Sequence, residues 1–155
     1  MKGKYLYVRL RRVKKYGPVV WLSFLSKKYY HKIGLSFYPG ILHEDVLFTL
    51  TGILLANRTT YIQKKYYHYR KHNDSIMSNK VNVKNIYGYI ITFWQILKIF
   101  EGKNFENVVD NAINLAKNFL IKTIRNYMNL VTNNEKKILS IKLTNIQQEI
   151  LSLIL

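Results

Sequence analysis

Apolar residues recur at helical spacing through residues 105–131: Phe105, Val108, Val109, Ala112, Leu115, Ala116, Phe119, Leu120, Thr123, Tyr127 and Leu130. Side chains three and four apart share one face of a helix, so this stretch specifies a long amphipathic helix. Asn104 suits its N-cap, and Glu106 and Asp110 put negative charge early, where the macrodipole favours it. Such a helix needs a partner face. Residues 86–100 supply one, being apolar almost all round, with Gly102 as a C-cap after them. Phe93 and Trp94, in the middle of that run, read as core, because a cofactor site would need polar groups nearby.

The same spacing extends the helical reading. A helix from Ile41 has His43, Glu44 and Asp45 in its first turn and continues through Val46, Leu47, Leu50, Ile53, Leu54 and Ile62. Gly52 inside it costs about 1 kcal/mol of propensity. Its apolar part, residues 46–56, is well short of the roughly 20 residues that span a bilayer. Beyond Asn57 the helix is expected to turn basic and aromatic, with Arg58, Lys64, Lys65, Tyr66, Tyr67, Tyr69, Arg70 and Lys71, and this end is expected to leave the core and bind the same nucleic acid as the basic N-terminal residues. Asn73, Asp74, Ser75, Ser78 and Asn79 mark a loop. Thr132 with Glu135, and Thr144 with Gln147, have capping-box spacing and predict a last helix, continuous or broken, running to residue 155. Leu139, Ile141 and Leu143 alternate, which also fits a short strand. The apolar end, Ile150, Leu151, Leu153, Ile154 and Leu155, should be covered by a partner subunit or a lipid surface. The expected fold class is all-α, with a helical N-terminal arm over residues 1–40 and a bundle of about four helices over residues 41–155.

The arm carries the chain's most unusual composition. Between Lys2 and Lys32 stand ten Lys or Arg residues before the first acidic residue, Glu44. Lys2, Lys4, Arg9, Arg11, Arg12, Lys14 and Lys15 precede Tyr16, Gly17, Pro18 and Trp21, and Lys27, Lys28 and Lys32, with Tyr29 and Tyr30 among them, follow. Gly17-Pro18 breaks the chain there. Residues 5–15 fit a short strand or an induced helix, and residues 19–33 a second short helix. The whole chain has 25 basic and 8 acidic residues, a formal charge of +17. Residues 1–84 hold 17 of the basic and 3 of the acidic ones, residues 85–155 the other 8 and 5. The first half is thus the expected binding half. A charge of this size strains a compact monomer unless a polyanion neutralises it, and nucleic acid is the first candidate. A charge run is more often a solvated face or tail, but a solubility tail has no use for interleaved Tyr and Trp, which can lie against sugars or stack on bases.

Catalytic and metal chemistry find little to stand on. There is no cysteine, no glycine-rich phosphate loop, no serine elbow and no paired carboxylate set. His68 and His72 have the spacing of two metal ligands on a helix but no third partner, and the surrounding cations would repel a metal ion. His43, Glu44 and Asp45, being adjacent, point in different directions from a helix. Thirteen tyrosines leave a strand-transfer nucleophile open. The expectation is a non-enzyme without cofactor or metal.

With the basic, aromatic start carrying Lys15-Tyr16-Gly17 and then Trp21, a helical body and no cysteine, the chain resembles the major capsid proteins of filamentous and rod-shaped archaeal viruses with linear double-stranded DNA. The resemblance implies an arm that wraps the duplex, subunits paired with the same chain or a paralogue, DNA in the A form and helical polymerisation into a virion. It assigns the cations from Lys2 to Lys32 to phosphates, with Tyr16 and Trp21 as arm contacts. A lipid envelope, present in some members, would meet the apolar C-terminus. Two other classes fit the composition. A ribosomal or other structural RNA-binding protein would use the same cations and tyrosines. A membrane-associated protein would use the arm on anionic lipid and residues 86–100 as an anchor, against which Lys98 and the short length count.

Overall fold

A computed structural model describes residues 1–70, 80–101 and 107–155, the first four of the last stretch as backbone only. Among these residues there are seven α-helices, one 3₁₀ turn and no strand: α1 (Gly3–Arg12), the turn Val20–Leu22, α2 (Lys27–Lys32), α3 (Glu44–Leu54), α4 (Val83–Phe100), α5 (Asn107–Met128), α6 (Asn133–Lys142) and α7 (Asn145–Ile154). Asn104, Glu106 and Gly102, expected at the ends of the two long helices, lie outside the described residues, as do residues 71–79.

The centre of the molecule is α4 lying along α5. α1 and α3 pack on one part of this pair, and α6 and α7 cover α4. The buried seam of α5 runs Ala112, Ala116, Leu120, Ile124 and Met128, four residues apart each time. Leu115, Phe119 and Tyr127, counted in the expected stripe, lie at its edge and are only partly buried, and Leu130 is exposed. On α4, Ile86, Ile90, Phe93 and Ile96 face this seam's cluster, while Trp94 is half-buried beneath the Lys98 ammonium, 4.1 Å from its ring.

α1 joins the core. Leu6, Tyr7, Val8 and Leu10 are buried, each contributing about 2 kcal/mol by removal from water, and they pack the helix against α3 and α5. The approach is close enough that a Cβ on Gly3 would collide with the Ile53 carbonyl, and the Gly3 amide donates to the Ala56 carbonyl at 2.8 Å. The ambiguous residues 5–15 are therefore helical up to Arg12, and the boundary drawn at residue 40 leaves part of the core on the arm side.

Three expected elements take another form. Residues 19–33 do not make one helix: β-branched Val19 and Val20 follow Pro18, the backbone is extended at Ser23 and Ser26, and the Ser26 hydroxyl restarts a helix by accepting from the Tyr29 amide at 3.1 Å. α3 stops at Leu54 instead of running past Ile62, because its C-terminal flank pairs with the start of α1: besides the Gly3–Ala56 bond, the Thr59 amide donates to the Met1 carbonyl at 2.7 Å. Residues 55–70 then continue without a helix. Leu139, Ile141 and Leu143 are not a strand. A helix satisfies the same pattern by burying Leu139 and Leu143, four apart, and leaving Ile141 85% exposed. Both capping boxes form: Thr132 and Glu135 exchange bonds at the start of α6, and Thr144 and Gln147 at the start of α7. At the chain's end Ile150 and Ile154 are buried, whereas Leu153 and Leu155 face outward.

Candidate nucleic-acid interface

The cations of the first half sit on three backbone pieces. α1 carries Arg9, Arg11 and Arg12 in its last turn, where positive charge complements the helix C-terminus. The helix closes in a Schellman arrangement: the Lys15 amide donates to the Leu10 carbonyl at 2.9 Å and the Lys14 amide to the Arg11 carbonyl at 3.2 Å. Lys14 occupies the left-handed position usual for glycine, with φ 53°, a conformation that costs a lysine about 1 kcal/mol. Lys14 and Lys15 thereby leave the helix end exposed and side by side.

Not every expected contact faces outward. The Arg11 guanidinium lies over the Phe119 ring at 4.8 Å, bound to α5 instead of to solvent. Lys4 is half-buried and both Lys2 and Lys4 have partners. Tyr16 turns inward: its ring meets Tyr7 edge-on at 4.8 Å, its hydroxyl donates to Thr49 Oγ1 at 3.4 Å, and burial raises its pKa strongly. Tyr29 also faces the body, donating to the Gly52 carbonyl at 2.7 Å, and burial pushes it up to about 12. These two rings tie the chain after α1 onto α3. Arg9 and Arg12 line a shallow hollow with Tyr5, Val8, Val13 and Asn111.

The second piece, from Trp21 through α2, exposes Lys27, Lys28, Tyr30 and Lys32. Tyr30 leans toward Phe48, 6.3 Å away, and Phe37 stacks on the same ring at 4.4 Å. The third piece is the non-helical stretch with Arg58, Lys64, Lys65 and Arg70, all exposed; Lys71 lies outside the described residues. One aromatic contact joins the second piece to the third. Trp21 stacks with both Tyr67 and Tyr69, each at 5.7 Å between ring centroids and with planes 23° and 12° from parallel. Lys27, Lys28, Arg70 and their neighbours are thus carried on two segments fastened to each other, though far apart in sequence.

Tyr67 and Tyr69 belong to the expected basic, aromatic stretch, but their pairing with Trp21 was not expected. Their signal was present in the sequence, since residues two apart in extended chain point to the same side, but it was masked by reading residues 57–71 as helix. Phe24, exposed between Trp21 and α2, was also missed. A separate hollow lined by Gly40, Ile41, Leu42, Lys84, Tyr87 and Lys142 holds the Lys142 ammonium 4.5 Å over the Tyr87 ring.

Titratable groups cluster elsewhere. His43, left-handed at φ 64°, caps α3 with its ring 4.7 Å from Tyr89, and its Nε2 lies 3.0 Å from Asn85 Nδ2. The Asn82 amide donates to Asn85 Oδ1 at 2.9 Å, which aims the Asn85 NH₂ at His43 and requires an unprotonated Nε2 as acceptor. Burial lowers the His43 pKa and raises that of Asp45, next to Glu44. His72 lies outside the described residues, and among those described no three His, Cys, Asp or Glu side chains come together as a metal site. No described helix is long and apolar enough to cross a membrane. No known protein family, curated protein or solved structure matches the chain.

Proposed function

We propose that the chain is a non-enzymatic structural protein that coats linear double-stranded DNA without reading its sequence and polymerises into a helical virion. The observation that carries this reading is the pair of exposed basic segments, one with Lys27, Lys28 and Lys32 and the other with Arg58, Lys64, Lys65 and Arg70, fastened through Trp21, Tyr67 and Tyr69. Two cationic strips held in a fixed relation can follow two phosphate tracks, releasing counterions from both. Lys14 and Lys15 extend the strip toward α1. The exposed apolar residues Ile138, Ile141, Ile146 and Leu153 on α6 and α7 give subunits something to bury against the same chain or a paralogue, and Leu153 and Leu155 would meet an envelope if one surrounds the shell. Before assembly the protein would reside in the host cytoplasm. The resemblance in Lys15-Tyr16-Gly17 and Trp21 supports the same reading and makes A-form duplex the expected packaged state.

The test is binding of the full chain to equal lengths of duplex DNA and structured RNA across a salt series, with the particles imaged. Deleting the first residues would remove α1 from the core, so the comparison protein carries Lys27, Lys28, Lys64 and Lys65 as Gln, all four exposed. Regular filaments on duplex, weakened in the variant with a shallower salt slope, are expected. Tight RNA binding without filaments would sink the coat in favour of a structural RNA-binding protein.

A further inference from the structure

Phe24 is 87% exposed, more than any other described aromatic side chain, in a chain whose other phenylalanines mostly find partners. It stands on a short extended span, residues 23–26, with the 3₁₀ turn before it and α2 after it. Both feet of this span are held. On one side the Val20–Leu22 turn lies against α3 and Trp21 stacks with Tyr67 and Tyr69 of the third segment; on the other the Tyr29 hydroxyl donates to the Gly52 carbonyl of α3 at 2.7 Å. The phenyl is therefore presented by a loop anchored within three residues before and five after. Lys27 and Lys28 follow after Leu25 and Ser26, at the start of α2, and both are exposed.

We infer that Phe24 is a wedge that enters a base step of the bound duplex while Lys27 and Lys28 hold the flanking phosphates. The inference rests on the duplex-coating function proposed above and adds to it a local deformation of the DNA. An aromatic ring is about as thick as one base-pair rise, roughly 3.4 Å, so it fills the gap left when two pairs unstack. Unstacking is costly, and a wedge meets that cost only if its own position is already fixed and cations neutralise the strained backbone beside it. The two anchors meet the first condition and the two lysines the second. No base edge need be read. Even so, the deformation is easiest at pyrimidine–purine steps, so subunits should settle with Phe24 at TA or CA steps. An anionic membrane would also attract Lys27 and Lys28, and Leu22 and Leu25 are exposed beside Phe24; the duplex is favoured because Phe24 projects furthest of the three and Trp21 is held against Tyr67 and Tyr69 instead of adding to a lipid-facing surface.

The experiment uses the full chain, duplexes carrying 2-aminopurine at a single TA step, and the variants Phe24→Ala and Phe24→Trp. Wild type should raise the probe's emission on binding, Phe24→Ala should bind roughly tenfold more weakly without that rise and with an unchanged salt slope, and Phe24→Trp should restore it. Equal emission changes in wild type and Phe24→Ala, with binding intact, would overturn the wedge and leave the coat standing. Absence of duplex binding by wild type would overturn both. Loss of flotation with anionic vesicles in Phe24→Ala, its duplex behaviour unchanged, would overturn the wedge by assigning the loop to lipid.

Discussion

Tyr7 is fully buried, and its hydroxyl has no hydrogen-bond partner. Burial without a partner pushes its pKa up to about 12, and the uncompensated group is a cost to the folded state. Its ring, by contrast, is well used, meeting Tyr16 edge-on. Tyr7→Phe keeps the ring and deletes the orphan, so it should stabilise the protein by about 1 kcal/mol and raise Tm by about 3 °C in a thermal melt. His43 makes a prediction of opposite kind. Its folded pKa lies below the ordinary 6.5, so the neutral ring's contribution is complete above that value and is lost as pH falls below it. Asp45 runs the other way: its raised pKa makes its contribution complete below 3.8 and lost as pH rises through the folded value. In the window between, the two oppose each other. Melts taken from about pH 7 to about pH 5.5 should show Tm falling on acidification, and the fall should shrink in His43→Asn, a residue that tolerates the left-handed conformation.

Two glycines within helices separate packing from propensity. A Cβ on Gly88 of α4 would strike the Leu42 carbonyl, whereas one on Gly52 of α3 would make an ordinary contact with Leu35 at 3.5 Å. Gly88→Ala should therefore destabilise by about 3 kcal/mol, and Gly52→Ala should stabilise by about 1 kcal/mol, as read from denaturant midpoints. The helices themselves were legible where periodicity and caps agreed. Both capping boxes and the acidic first turn of α3 could be located from spacing alone. What could not be read was where a helix stops for tertiary reasons. Nothing local ends α3 at Leu54; the start of α1, some fifty residues earlier in the chain, takes its flank. The same blindness left the buried side of α1 unread, because its four cations, Lys4, Arg9, Arg11 and Arg12, drew attention from Leu6, Tyr7, Val8 and Leu10. In the candidate site the cations were legible as a list. Tyr16 and Tyr29 facing inward, and Tyr67 and Tyr69 meeting Trp21, were not, since long-range pairing leaves no trace in composition.

For the whole molecule the dominant fact is a charge of +17, with only eight carboxylate side chains to offset it. Self-repulsion of that size should make the free protein more stable as salt is added, while affinity for duplex falls over the same range. Thermal melts and binding isotherms at matched salt steps check both signs together; a free protein indifferent to salt would remove repulsion from the account. The contact that joins the two basic segments has an optical consequence as well. Trp21 and Trp94 are the two indoles of the chain, and Trp94 sits apart on α4. Replacing Trp94 by Phe leaves a single emitter lying on two phenols, so the colour and intensity of one residue's light would register, in real time, whether the two strips stay clasped or come apart around a ligand.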